Sequence, residues 1–372
     1  METVKKKILL VAPVLDIGGA EKVVRDVAWY ADPEKYEVHL LILREKVGIY
    51  ERQLLEKGCK SFHVPEPSDN YVNYLKALLQ IMRREKYYAV HVHTMFSSGW
   101  VMLAAKLCGV PVRVAHAHSA LRDGQSVVKT IYEAVMRFLI LSCATDLVAC
   151  GVKAGQRLYG PRAYKKRGQL VLNGIDIPAF AYSEDSRRGI RAQLNVGDCF
   201  VLGHAGHLAD VKNQSFLLEL MPLILERRPD ARLLLLGEGA DRPMLEKKIR
   251  DMKLQDHVIM TGNVTNVADY LNAMDVFVFP SLYEGLPLSI LEVQANGLPC
   301  VISNRVPEDV FLTDLIHPLS LEDSKKLWVE KILSVRRDQP YSYNEKLRGS
   351  DYTVETAMEK IYRIYEKGKR NE

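Results

Sequence analysis

Short apolar runs of buried-strand length alternate with helical patterns along this chain, and the series runs through twice. Lys7-Ile8-Leu9-Leu10-Val11-Ala12 is the first run; Gly18-Gly19 follows, then apolar residues at helical spacing, Val23, Val24, Val27 and Ala28. Val38 to Leu43, Ala89 to His93, Val112 to His118 and Asp146 to Cys150 continue the series, with helices such as Tyr71 to Arg84 between them. A strand that is apolar throughout, rather than at every second position, needs cover on both faces, which the crossover helices of a parallel sheet supply.

The pattern restarts after Asn173-Gly174-Ile175-Asp176. Residues 177–198 are polar and irregular, and read as a linker with a short helix from Ser186 to Leu194. Phe200 to His204, Ala231 to Leu236, Val258 to Met260, Asp275 to Phe279 and Cys300 to Ile302 then read as strands, separated by helical stretches such as Gln214 to Glu226 and Arg242 to Met252. At 372 residues the chain is long for one core. The expected architecture is α/β, with two doubly wound Rossmann-like domains facing a central cleft. They are residues 1–180 and 181–350, and the amphipathic end of the chain, residues 351–372 with a helix over Val354 to Tyr365, packs back on the first.

A composition of 48% hydrophobic and 26% charged residues is that of ordinary soluble globular proteins. Six scattered cysteines (Cys59, Cys108, Cys143, Cys150, Cys199, Cys300), with no C-x-x-C pair, suit reduced core thiols in a cytosol rather than a disulfide frame or a zinc site. The charged start, Met1 to Lys7, leads straight into a strand, unlike a signal peptide. Phe138 to Cys150, the longest apolar stretch, is broken by Asp146 and is shorter than the ~20 residues a bilayer-spanning helix needs. The net charge of +5 is unevenly placed: residues 1–180 hold 26 Lys+Arg against 17 Asp+Glu, or +9, and residues 181–372 hold 25 against 29, or −4. Lys5-Lys6-Lys7, Arg83-Arg84 and Lys165-Lys166-Arg167 make the first half basic. Such runs are either solvated surface or an approach to an anionic membrane face or lipid phosphate. No aromatic residues interleave them, which disfavours nucleic acid.

Near the end of the second series, Glu284 and Glu292 stand eight residues apart across a loop-to-helix junction. Glu284 lies in a Gly/Pro loop just after Val276 to Phe279, where α/β proteins bind ligands, and Glu292 is expected two turns into a helix opened by Leu288-Ser289. Helix-start amides favour anions and paired carboxylates accept from vicinal hydroxyls, so the segment suits phosphate plus hydroxyls, as in a nucleotide sugar. Gly18-Gly19-Ala20-Glu21 lies between the first strand and first helix, where glycines serve either a close backbone approach to a ligand or a turn at positive φ. There is no dinucleotide fingerprint, because Gly237-Glu238-Gly239 has Arg242 where a third glycine belongs. Lys212, in His207-Leu208-Ala209-Asp210-Val211-Lys212, is either a point cation for phosphate or a surface lysine. His91 and His93, like His116 and His118, share a strand face. With no carboxylate or cysteine at useful spacing a metal site is not expected, and a single histidine near a reacting sugar fits better. The absence of an Asp-x-Asp pair argues against a divalent-metal diphosphate clamp, leaving lysine and helix amides to neutralise a leaving diphosphate.

At these residues the chain resembles the family-four glycosyltransferases, retaining nucleotide-sugar enzymes of the GT-B fold, along nearly its whole length, and bacterial polysaccharide-building members most of all. The Glu284–Glu292 pair with its intervening Gly-Leu-Pro is the most specific mark; Gly18-Gly19-Ala20-Glu21, Asn173-Gly174-Ile175-Asp176 and Thr261-Gly262-Asn263 follow the family's order and distances. The resemblance implies that the second domain binds the nucleotide sugar. Glu292 would meet the ribose, while Glu284 and the amides of Gly285, Leu286 and Leu288 would meet the sugar and diphosphate. Lys212 and the Gly19 amide, beside Gly18, would hold the diphosphate, His118 would lie beside the donor sugar, and Glu238 and Asn263 would join the donor site. His118, Glu284 and Lys212 are the residues it implies for catalysis. One departure concerns His207: the family often has arginine there, and a histidine supplies less fixed charge near neutrality.

The implied reaction transfers a hexosyl unit to an acceptor hydroxyl with retention, without metal or other cofactor, in cell-surface polysaccharide assembly. The basic first half favours a lipid-linked oligosaccharide acceptor at the inner face of the cell membrane, read by loops around residues 60–75 and 119–130. The enzyme is then expected to be cytoplasmic with peripheral membrane contact. Two alternatives keep the fold: a nucleotide-sugar epimerase or hydrolase, and a non-catalytic nucleotide-sugar-binding subunit.

Overall fold

A computed structural model describes residues 5–66, 70–119, 126–338 and 340–367. Its contacts divide the chain into two units, one made of the residues up to Gly174 together with those from Val354 onward, the other of Ile175–Thr353. In the first unit the strands are β1 (Lys6–Ala12), β2 (Tyr36–Ile42), β3 (Lys60–His63), β4 (Ala89–Val92), β5 (Val112–Ala117), β6 (Asp146–Ala149) and β7 (Gly168–Leu170). Between them run α1 (Gly19–Trp29), α2 (Ile49–Glu56), α3 (Tyr71–Glu85), α4 (Ser98–Leu107), α5 (Val127–Cys143), α6 (Val152–Tyr159) and α7 (Pro161–Arg167). The sheet order is β3-β2-β1-β4-β5-β6-β7, and each neighbouring pair is parallel. Five consecutive residues of β1, Ile8 to Ala12, are buried, as continuous apolar runs require when helices cover both faces.

The second unit repeats the plan. Its helices are α8 (Glu184–Gln193), α9 (Gln214–Leu225), α10 (Arg242–Asp251), α11 (Val267–Ala273), α12 (Leu288–Ala295), α13 (Lys325–Ser334) and α14 (Tyr341–Leu347). They alternate with β8 (Val201–Ala205), β9 (Arg232–Leu236), β10 (Val258–Gly262), β11 (Val276–Phe279), β12 (Cys300–Ser303) and β13 (Ile316–Leu319), arranged β10-β9-β8-β11-β12-β13 and again all parallel. The stretch expected as a linker does more than connect. In α8, Arg187 pairs with Asp275 at 2.6 Å, and the buried Arg191 donates to the Ala273 carbonyl at 2.6 Å, so the helix is bolted to the chain that enters β11.

The last helix, α15 (Val354–Lys367), packs against α1 in the first unit. Ile361, Ile364 and Tyr365 lie in the same apolar cluster as Leu10, Val24 and Val27. Tyr362 donates its hydroxyl to the Val27 carbonyl at 2.6 Å and stacks on Tyr36 at 5.5 Å, while the Tyr365 hydroxyl meets Nδ1 of His91 at 2.7 Å. All six cysteines are free; Cys143, Cys150 and Cys300 are buried and the other three half-buried. No helix among the described residues is long and apolar enough to cross a membrane.

Removing three carbons from a buried side chain in this contact leaves a cavity. Ile361→Ala should therefore lower stability by about 2–5 kcal/mol, read as an earlier midpoint in urea unfolding.

Candidate functional site

In each sheet the strand order reverses at one place: between β1 and β4 in the first, and between β8 and β11 in the second. Crossovers leave these strand pairs in opposite directions, so their carboxyl ends border an open crevice where α/β proteins take ligands. The motifs stand at these ends. Gly18-Gly19 follows β1, His93 follows β4, Lys212 follows β8, and Glu284 follows β11.

The loops of the second unit hold one another. Leu208 donates its amide to the Glu238 carbonyl at 2.9 Å, Asp241 donates back to Leu208 at 3.1 Å, and Gly237 donates to Gly262 at 2.9 Å. This close lacing explains Gly237-Glu238-Gly239. Gly237 has φ of 131°, and a Cβ there would come 2.1 Å from the Gly206 oxygen; one at Gly239 would come 2.1 Å from the Leu208 oxygen. Leu282 donates to the Val211 carbonyl at 2.8 Å, and the Asn213 side chain donates to Pro280 at 3.2 Å, tying the β8 loop to the β11 loop. Beneath them His204 is buried, with Nδ1 3.0 Å from the Val278 carbonyl. A carbonyl only accepts, so Nδ1 carries the proton and Nε2 accepts from Gln214 at 3.3 Å; Gln214 also donates to the His207 carbonyl at 2.9 Å. Burial holds the His204 pKa down to about 4.

On this frame Lys212 closes the single-turn helix Asp210–Lys212, with Nζ 2.7 Å from Oε1 of Glu284 and 5.0 Å from the centre of the Phe279 ring. The pair is largely withdrawn from solvent, with side chains 19% and 10% exposed. Gly285 is exposed, and α12 begins at Leu288 after Pro287, whose side chain does not cap the helix; the Ile290 amide donates back to the Pro287 carbonyl at 3.1 Å, which leaves the amides of Leu288 and Ser289 for an anion. Leu286 is half-buried before this start. Glu292 is half-buried only a little over one turn into α12, not the two expected, because the four residues from Leu288 advance a helix by about 1.1 turns. Glu238 is engaged by Arg242, which also donates to Glu246 at 2.8 Å. Asn263 and His207 are exposed at the ends of their loops.

In the first unit Gly18 caps α1 in extended backbone and neither Gly18 nor Gly19 has positive φ, so a left-handed turn is not what these glycines serve. A Cβ at Gly18 would meet the Glu21 carboxylate at 2.2 Å, whereas a Cβ at Gly19 would meet nothing within 4 Å. Open space at a helix start is what a close-approaching anion requires. Burial raises the Glu21 pKa, with Asp16 adding to it.

The four histidines form one stacked group. His91 Nε2 faces His116 Nδ1 at 3.1 Å, and His93 Nδ1 faces His118 Nε2 at 2.7 Å. The remaining nitrogens, Nε2 of His93, Nε2 of His116 and Nδ1 of His118, are buried with no partner. Burial lowers all four pKa values, that of His91 to about 3 and that of His118 to about 4, with those of His93 and His116 well down. One nitrogen from each of His91, His93 and His116 lies within 4.8 Å of the others, a possible cation cluster. Zinc at about 2.0–2.1 Å from each would need them nearer, and two of the three rings already spend a nitrogen on each other.

Sequence reasoning missed the residues that position the site: His204, Gln214, Asn213 and Tyr365. His204, Asn213 and Tyr365 act through contacts 74, 67 and 274 positions away, and Gln214 serves His204 and the His207 carbonyl, so no residue pattern marks them. Of the stretches expected to read an acceptor, residues 67–69 and 120–125 lie outside the described residues.

Residues 17–177 match the family model described as Glycosyltransferase Family 4, and residues 199–336 match that of glycosyl transferases group 1. The putative glycosyltransferase EpsF of Bacillus subtilis is 35% identical over 343 residues, 89% of this chain and 88% of its own. The UDP-Gal:alpha-D-GlcNAc-diphosphoundecaprenol alpha-1,3-galactosyltransferase of Escherichia coli is 29% identical over 67% of each chain. Among solved structures, Anabaena HepE in complex with UDP-glucose superposes with a TM-score of 0.79 at 19% identity, over 97% of this chain and 99% of that one. The two Rossmann-like parallel-sheet units are thus those of the GT-B fold.

Two outcomes follow from this geometry. Gly19→Ala should leave the thermal midpoint unchanged or higher, whereas Gly237→Ala should lower stability by about 1–3 kcal/mol or more, because its φ and the Gly206 backbone both oppose a side chain. The buried histidines bind protons in the unfolded chain below about pH 6.5, but in the folded chain His91 does so only near pH 3 and His118 near pH 4, with His93 and His116 also held well down by burial. Stability is therefore whole above pH 6.5 and falls as pH drops from 6.5 toward 4, which thermal melts at pH 7.5 and 5.0 will read.

Proposed function

The chain belongs to the family-four glycosyltransferases, and on that premise we propose that it moves a hexosyl unit from a nucleotide diphosphate sugar to an acceptor hydroxyl with retention at the anomeric carbon. The observation that carries this reading is the Lys212–Glu284 pair, held at 2.7 Å by two interlocked loops at the switch point of the second sheet. An arriving diphosphate takes up the lysine charge, and the carboxylate thereby freed accepts from sugar hydroxyls. The amides of Gly285, Leu286 and Leu288 serve the sugar and phosphates, and Glu292 serves the ribose, with Glu238, Asn263 and His207 on the surrounding loops. In the first unit, the open amide end at Gly19 is assigned to an anion and the unpartnered Nδ1 of His118 to a sugar hydroxyl.

In the step itself the acceptor oxygen bonds to the anomeric carbon on the face from which the nucleoside diphosphate departs. The carbon–oxygen bond to phosphate breaks with its electron pair passing to the diphosphate, and the acceptor proton goes to a departing phosphate oxygen. Lys212 and the helix amides offset the charge that develops there. No carboxylate is asked to form a covalent intermediate, and no metal is assigned to the step. The acceptor we favour is a lipid-linked oligosaccharide of polysaccharide assembly at the cytoplasmic membrane face. The basic first half supports it, as does the E. coli relative, whose name carries a diphosphoundecaprenol acceptor.

UDP-glucose and UDP-galactose are the first donors to try, since HepE holds one and the E. coli relative is named for the other. Lys212→Ala should lower turnover about 100- to 1000-fold, the loss typical of one charge-stabilising contact. Glu292→Ala should weaken donor binding roughly tenfold by calorimetry, about 1.4 kcal/mol. A chelator should leave the rate unchanged. Wild-type kinetics in both variants would sink the donor-site assignment. A new sugar nucleotide, or free sugar, from donor alone would instead indicate an epimerase or hydrolase, and donor binding without transfer a non-catalytic subunit.

A further inference from the structure

At the end of the second sheet remote from Lys212 and Glu284 lies a hollow of about 380 Å³. Phe200 and Asp275 line it just before β8 and β11 begin, whereas Lys212 and Glu284 follow those two strands. The four residues of β11, about 13 Å of strand, stand between the two places. The hollow is therefore no part of the site already described.

Its charge is unlike that of its surroundings. Residues 181–372 hold 25 Lys+Arg against 29 Asp+Glu, yet Arg187, Arg228, Arg336 and Arg337 converge here with two carboxylates, Asp275 and the exposed Asp338. Arg187 is neutralised by Asp275 at 2.6 Å, and Arg228 by Asp230 through two bonds of 3.0 Å. The other two meet only neutral groups among the described residues. Arg336 donates to the Leu333 and Val335 carbonyls at 2.7 and 2.9 Å. Arg337, half-buried, donates to the carbonyls of Leu271, Asn272, Met274 and Asn296 at 2.8–3.2 Å and to the Asn296 side chain. Its Nε is shut off from water and has no partner, and burial pulls its pKa down to about 9. A withdrawn cation held by dipoles alone is costly, and an anion beside it offsets that cost.

The walls narrow the class of anion. Arg337 lies over the Tyr182 ring at 4.3 Å and Arg228 over the buried Phe200 ring at 5.2 Å, while Tyr341 stands edge-on to Tyr182 at 5.2 Å. The aromatic rings thus serve guanidinia rather than a stacked nucleobase. What remains is a set of N–H forks, whose planar geometry matches the oxygens of a phosphate. We propose that this arginine-lined hollow is a second anion site of the protein, which takes inorganic phosphate.

Inorganic phosphate is titrated by calorimetry into the full chain in phosphate-free buffer. Wild-type protein should bind it saturably and gain thermal midpoint with it. Arg228→Gln/Arg336→Gln should weaken that binding roughly tenfold or more, the loss expected for charged hydrogen bonds, and should leave UDP binding as in wild type. Lys212→Ala should leave phosphate binding in place, because it alters only the other end of the sheet. Thermal melts without phosphate show whether the double variant is folded, and the exposed Arg336→Gln alone, expected to weaken binding in the same direction, answers the question if it is not. No saturable phosphate binding by the wild type would overturn the proposal. So would binding that the arginine substitutions leave unchanged; its loss in Lys212→Ala would then place the phosphate beside Glu284. Wild-type protein that binds phosphate in the hollow but no UDP would sink the donor-site reading and leave this one standing.

Discussion

Strands buried on both faces leave no room for charged groups along their length, and that constraint arranges everything else in this molecule. Once Ile8 to Ala12 or Val276 to Phe279 is sealed between helix layers, charged groups have places only at the strand ends. The reversal of strand order between β1 and β4, and between β8 and β11, leaves those ends uncovered by a crossover. Gly19, Lys212 and Glu284 gather there because the sheets exclude them elsewhere.

The same constraint accounts for the pairing of Lys212 with Glu284. A lone ammonium or carboxylate this far withdrawn from water is costly, and each supplies the other's counter-charge at 2.7 Å while no ligand is bound. The pair holds the site near neutrality and keeps both groups in position. The apolar bed under it, Phe279 over the buried His204, fixes the strand from which the glutamate loop departs. The histidine group in the first unit follows the same rule in uncharged form: four imidazoles remain neutral because burial leaves no solvent to carry a charge.

Much of this could be read from the residues in order. Continuous apolar runs mark every central strand, and glycines and capping positions mark the helix starts. Of the four edge strands, β10 was legible as Val258 to Met260, but three escaped notice because they lack that signal: Lys60–His63 is exposed at its ends, Gly168–Leu170 is three residues long, and Ile316–Leu319 contains Pro318, tolerated only at a sheet margin. For the site, the types and spacings of Glu284, Glu292, Lys212 and Gly19 were legible, but their partners were not. The Lys212–Glu284 contact spans 72 positions and the His91–Tyr365 contact 274, and no local pattern reports a pairing at such a distance. The purpose of Gly237 became clear only with the backbone of Gly206 beside it.

The His91–Tyr365 contact has a consequence for how the molecule is made. The first unit is discontinuous in sequence, and its cover, α15, is the last helix among the described residues. With 274 residues between His91 and Tyr365, synthesis at about 5–20 residues per second separates the two by roughly 15–50 s. During that interval the Ile175–Thr353 unit emerges whole, while the earlier sheet waits with part of one apolar face bare. The half of the protein translated first is thus the half completed last, and its nascent form is the one that needs shelter from aggregation.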